Sequence, residues 1–121
     1  MRKFICPVIL FFMIHAVQAQ TCDDVLRYVK SSGYGTTYSS FNSDAISKVT
    51  FYTITEDYEY RYYAIVCFKK EYFGCTEYIY QVGPRTKSNY SSSYILSAGK
   101  AFWEFIQPYN KVLGCAPRLE E

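Results

Sequence analysis

The chain has 121 residues, among them 13 Lys or Arg, 11 Asp or Glu and a single His. Met1–Ala19 reads as an export signal, and its removal takes away Arg2, Lys3 and His15, so that equal numbers of basic and acidic side chains remain from Gln20 onward. A product without imidazole cannot run a Ser-His-Asp triad, a Cys-His dyad or a His-ligated zinc site, and its even charge balance gives no argument from bulk basicity toward nucleic acid or an anionic membrane.

In chain order, Met1, Arg2 and Lys3 form a basic start, Phe4 to Ile14 an apolar stretch, and Val17 and Ala19 supply the small residues a signal peptidase needs. The apolar stretch falls short of the roughly 20 residues that span a bilayer. The expected localisation is therefore secreted, with no membrane partner once the signal is cleaved. Beyond it lie four cysteines, Cys22, Cys67, Cys75 and Cys115. An even number in a short exported chain favours two disulfides. Of the three possible pairings we prefer Cys22 with Cys115, tying the chain ends, and Cys67 with Cys75, directly opposed in a hairpin centred on Glu71. The cysteines lack the paired short spacings of a zinc site, so neither metal nor cofactor is expected.

Residues 23–30 suit a short helix, opened by Asp23 and Asp24 and closed by Lys30. Ser31 to Ser43, rich in Ser, Thr, Gly and Tyr, reads as a loop or linker. From Ile46 the pattern changes to alternation. Val49, Phe51 and Thr53 share one face of a first strand, and Tyr60, Tyr62, Ala64, Val66 and Phe68 one face of a second. Thr55 to Glu59 makes the turn between them. A third strand, Thr76 to Val82, sets Tyr78 and Tyr80 on one side and Ile79 on the other. Gly83 and Pro84 end it, Ser88 to Ser93 reads as a loop with a helical turn, and Ser97 caps a helix reaching Gln107. The expected fold class is α+β: a three-stranded antiparallel meander packed by a C-terminal helix, with a short N-terminal helix. The expected organisation is signal peptide 1–19, N-terminal helix and linker 20–42, and an α+β domain over 43–116.

Tyr78 and Tyr80, followed by Val82 and Pro84, and then Ser97, Gly99, Phe102 and Ile106 at Ser-x-Gly-x-x-Phe-x-x-x-Ile spacing, resemble the KTSC domain. This module is named for its occurrence at the C-terminus of some lysyl-tRNA synthetases. Ser43, Ile46, Val49 and Phe51 resemble the family's opening strand, so the likeness covers residues 43–109. Here Gly83 separates Val82 from Pro84, where the family has the two adjacent, and the signal and cysteines make this a secreted variant of a module whose familiar members are cytoplasmic. The resemblance implies RNA binding without a catalytic residue. An aromatic sheet face bearing Tyr78 and Tyr80 is the kind on which bases stack, although the charge balance offers little counterion release.

All fourteen tyrosines lie beyond Ala19. The reading that follows is a small secreted, noncatalytic binding module for an extracellular protein, peptide or glycan, with Tyr78, Tyr80, Tyr90 and Trp103 as candidate ligand-binding residues. Asn89 heads a glycosylation sequon in an expected loop. RNA binding is one alternative. A carboxylate-dependent hydrolase is another; it would draw its acids from Glu56, Asp57, Glu59, Glu71, Glu77 and Glu104, of which Glu77 stands within a strand. An exported defence factor also fits the short length, although no cationic amphipathic helix suits it to membrane disruption.

Overall fold

Strand-forming residues from Thr36 to Val82 lay down the sheet, whose centre is covered on both faces, so that Tyr63 to Cys67 are buried without a break. The computed structural model describes residues 21–117, so the expected signal and its cleavage site lie outside the described residues. A first helix, α1, covers residues 21–31. Strands β1 (Thr36–Ser39), β2 (Ile46–Glu56), β3 (Glu59–Lys69) and β4 (Cys75–Val82) follow, then helices α2 (Thr86–Ser93) and α3 (Ala98–Phe105). A single 3-10 turn (Gln107–Tyr109) leads into the short helix α4 (Asn110–Leu113). The strands form one antiparallel meander in the order β1-β2-β3-β4. The expected α+β class and the three long strands are observed, and a fourth strand is added at the edge.

That fourth strand is β1, in the stretch expected to be a loop. Its pairing rests on cross-strand contacts: Thr37 lies opposite Thr50, their hydroxyls 2.9 Å apart, and the Tyr38 ring meets Phe51 edge-on. Four residues are too few for alternation to stand out among Ser and Gly, which explains why the sequence reads as a linker.

The two sheet faces carry two separate cores. On one face Val49, Phe51, Ala64, Val66, Tyr80 and Val82 meet Tyr90 of α2 and Ala98, Ala101 and Phe102 of α3. Ile46 joins them although its parity in β2 is opposite to that of Val49. The register shift between Ile46 and Lys48 inserts one extra residue and turns both onto the same face. Phe102 sets its ring edge-on to Phe68 at 5.3 Å and to Tyr80 at 5.7 Å. On the other face Ile54, Tyr63, Ile65 and Ile79 receive Val29, with Val25 and Leu26 beside it, from α1. Leu113 and Cys115 close that layer. The result is helix, sheet, helix, with α1 and the C-terminal segment on one side and α2 and α3 on the other.

Two connections show how local sequence sets geometry. The β2–β3 hairpin turns through Asp57 and Tyr58, both at positive φ (50° and 68°), the mirror-image turn whose twist matches the strands. Gly83, the residue that parts Val82 from Pro84, lies against the Tyr109 side chain, where a Cβ would collide with the Tyr109 hydroxyl and crowd the ring carbon Cζ at 3.2 Å. The space for this glycine is therefore set by the 3-10 turn packed over it.

Both expected cysteine pairs form. Cys22 and Cys115 are joined with Cα atoms 5.7 Å apart, and Cys67 and Cys75 with Cα atoms 5.2 Å apart. The geometry of the second pair differs from expectation. Cys75 lies opposite Lys69 and Cys67 opposite Glu77, so the bridge is diagonal, not directly opposed. The loop closes with Lys70 N–H donating to the Gly74 carbonyl, and Gly74 takes φ 73°, which moves the hairpin centre one residue beyond Glu71.

Ser88 to Ser93, expected as a loop with a helical turn, is helical throughout as part of α2. Ser88, Ser91 and Ser92 return their hydroxyls to the Arg85 and Ser88 carbonyls within the helix, and Tyr90 anchors it in the core. The Asn89 sequon thus sits on an exposed helical position and not in a loop. Helix α3 begins as expected, with the Ser97 hydroxyl accepting from Lys100 N–H at 3.2 Å.

Candidate functional site

The four expected ligand-binding aromatics do not form one open surface. Tyr80 is 1% exposed and Tyr90 0%, both inside the core between the sheet and α2–α3. Tyr78 and Trp103 are half-buried and pack against that core. The face bearing Tyr78 and Tyr80 is roofed by α3, with Phe102 seated on Tyr80, so bases have no stacking platform there. The cause is simple. An alternating aromatic strand face is the surface a following amphipathic helix covers, and Phe102 and Ile106 supply the matching stripe. Burial pushes the Tyr90 hydroxyl up to about 12, with the neighbouring Ser40 hydroxyl opposing the shift. It also raises Tyr80, further aided by neighbouring Tyr78. Both rings serve as packing elements.

Glu77 lies at the rim of a groove of about 400 Å³ on the opposite face, beyond the end of α1. Its carboxylate pairs with the Lys30 ammonium, joining α1 to β4. Lys48, Thr37, Thr50 and Tyr52 line the rest, and Glu77 is the single acid among the lining residues. Carboxylate-based glycoside hydrolysis needs two acids flanking one bond, roughly 5 to 9.5 Å apart. Of the other acids, Glu56 is engaged by Arg61 at 3.3 Å at the hairpin tip, and Glu104 lines a separate surface depression beside Tyr109. Among the described residues no cluster of three or more His, Cys, Asp or Glu is placed to hold a metal. None of the described helices is long and apolar enough to cross a membrane.

The exposed apolar side chains form a different pattern. Among the described residues, the large apolar side chains other than tyrosine that are more than three-quarters exposed are Phe41 at 90%, Phe73 at 90%, Ile95 at 76% and Leu96 at 93%. They stand on three loops: the β1–β2 loop, the β3–β4 loop and the turn between α2 and α3. These loops adjoin at one end of the sheet. Lys69 N–H donates to the Ala45 carbonyl at 2.8 Å and the Lys69 ammonium to the Ser43 carbonyl, which ties the first two. A cleft of about 490 Å³ separates the first from the third, with Phe41 on one wall and Ile95 and Leu96 on the other. Tyr72, also exposed, stands next to Phe73. Sequence reasoning missed this grouping because each residue is isolated in a polar loop. The available signal was an apolar residue where turn chemistry calls for none: Phe41 after two serines, Phe73 before Gly74, and Ile95 and Leu96 before the Ser97 cap.

Compared with protein-family models, curated proteins and solved structures, the chain matches none.

Proposed function

We propose that this chain is a small exported, noncatalytic binding module of KTSC-like type, whose recognition surface is the apolar loop end carrying Phe41, Phe73, Ile95 and Leu96. The observation that carries this reading is the gathering of those four exposed side chains on adjoining loops, because water-exposed apolar groups collected at one place mark an interaction surface. The KTSC-like element is supported by the order of strand and helix around Tyr78, Tyr80, Ser97, Phe102 and Ile106, with Ser97 capping α3 and Phe102 and Ile106 buried. Export is supported by two disulfides, which persist in oxidising compartments. A noncatalytic role is supported by the single acid in the Glu77 groove and its engagement with Lys30.

The test has two parts. Intact mass of the natural product, reduced and nonreduced, is expected to show Gln20 as first residue and four oxidised cysteines; recovery inside cells with free thiols would overturn the export reading. Labelled protein is then applied to extracellular material and cell surfaces beside the triple variant Phe41→Ser, Phe73→Ser, Leu96→Ser. Wild-type capture that the variant loses is expected. Equal capture by both would remove the loop end as the recognition surface.

A further inference from the structure

The charge balance of the chain hides a separation along the sheet. Glu56, Asp57 and Glu59 cluster at the β2–β3 hairpin tip, with Arg61 as their nearby cation. At the far end of β3, about 33 Å away at roughly 3.3 Å per strand residue, stand Lys48, Lys69, Lys70 and Lys100 against Asp44 and Glu71, while Glu77, level with Lys48 in the neighbouring groove, is paired with Lys30. The basic end is the apolar loop end. Lys69, the last residue of β3, is fixed there through the Ser43 carbonyl, Lys70 opens the loop that follows, and Lys100 lies in the first turn of α3 beside the cleft.

We propose that this end is a peripheral membrane contact: the loops seat Phe41, Phe73, Ile95 and Leu96 in the interfacial layer of a bilayer whose outward-facing leaflet, the one an exported chain meets, carries anionic phospholipid, while the lysines meet its headgroups. This inference deepens the reading of the loop end as a recognition surface and rests on it. Three features favour lipid over a rigid partner or a second copy. The apolar groups stand singly on three loops, each more than three-quarters exposed, and a fluid interface needs no shape complement to receive them. The lysines surround them at the depth where acidic headgroups lie, each such contact adding to attraction that salt weakens. A second copy joined through the same end would set one net-basic surface against another, an arrangement that like charge opposes. Insertion stays shallow. Loop N–H and C=O groups need water or protein partners, so the loops reach the headgroup boundary and not the hydrocarbon. The acidic hairpin tip, repelled by the same surface, points away from it and fixes the orientation.

The experiment uses the disulfide-bonded chain and vesicles of phosphatidylcholine alone or mixed with phosphatidylserine, read by co-sedimentation. Binding to the mixed vesicles is expected, reduced on the neutral ones and by added salt. Phe73→Ser and Leu96→Ser are each expected to lower partitioning about tenfold, as loss of one large apolar contact does. Lys69→Gln with Lys70→Gln should remove most of the preference for phosphatidylserine. These side chains are exposed, so the variants keep the wild-type circular dichroism and both disulfides; Lys69→Gln also gives up the bond to the Ser43 carbonyl, so Lys70→Gln alone is measured beside it and should lower the preference in the same direction. Absence of binding to the mixed vesicles, or equal binding by the Phe41→Ser, Phe73→Ser, Leu96→Ser variant, overturns the proposal. So does self-association in ultracentrifugation that this variant abolishes. Failure with vesicles while capture on cell surfaces still depends on the loops removes the lipid and leaves the recognition surface; failure of both removes the surface as well.

Discussion

Replacing Cys22 and Cys115 with Ala should cost far more stability than replacing Cys67 and Cys75. The first bridge spans 93 residues and the second 8. In the chain-entropy model the cost of releasing a crosslink grows with the logarithm of the loop it closes, giving about 4.6 kcal/mol for the long loop and about 2.5 kcal/mol for the short one. Domains of this size hold roughly 5 to 15 kcal/mol in total, so the long bridge accounts for a large share. Packing adds to the difference. Helix α1 is seated on the sheet by Val25, Leu26 and Val29, and Cys22 clamps its first turn to the C-terminal segment beside Leu113. Urea unfolding with linear extrapolation measures both variants, and hydrogen exchange locates the loss, expected first in the amides of α1. If the short-loop variant loses as much stability as the long-loop one, or α1 keeps full protection without its bridge, both the loop-length argument and the clamp are wrong.

Three further outcomes follow from geometry already described. Tyr58 is fully exposed and held in left-handed backbone, so Tyr58→Gly removes strain without removing packing and should raise stability by about 1 kcal/mol, checked by thermal melting. The Tyr80 hydroxyl is buried with no hydrogen-bond partner among the described residues; Tyr80→Phe should therefore be neutral or stabilising by up to about 1 kcal/mol in the same assay, and a clear loss would reveal a partner for it. Burial raises the Tyr90 hydroxyl from 10.0 to about 12. An unfolded tyrosine ionises near 10 while the folded one stays neutral, so the stability this burial contributes is full below pH 10 and lost as pH rises to 12; Tyr90→Phe should flatten that fall in urea midpoints.

Alternation made three of the four strands legible, including which side each residue takes: Val49 and Phe51, Ala64 and Val66, and Tyr80 fall where period-two reading places them. The start of α3 was legible because Ser97 is a strong capping signal on its own. Strand β1 was not, since its pairing depends on Thr50 and Phe51, which are distant in sequence. The serine-rich α2 was not either, because its helicity rests on a single buried ring, Tyr90, and on hydroxyls turned back onto the helix. For the site, reading tyrosine as a surface residue failed at Tyr80, which Phe102 of α3 covers, and at Tyr90, which α2 turns onto Phe51 of the sheet. Lone apolar residues in loops became informative only once the fold brought three loops to one end.

The clamp between Cys22 and Cys115 has a consequence for how the polypeptide could be rewired. With their Cα atoms 5.7 Å apart, the backbone between them is nearly a closed ring, and packing does not depend on where that ring is cut. Joining the two sides by a short peptide and opening between Asp57 and Tyr58 would give a permuted chain that emerges from the ribosome as β3, β4, the helices and then β1 and β2. The same ladder could then assemble from a different order of synthesis, with the new ends at the acidic tip and the lysine-bearing loops left intact.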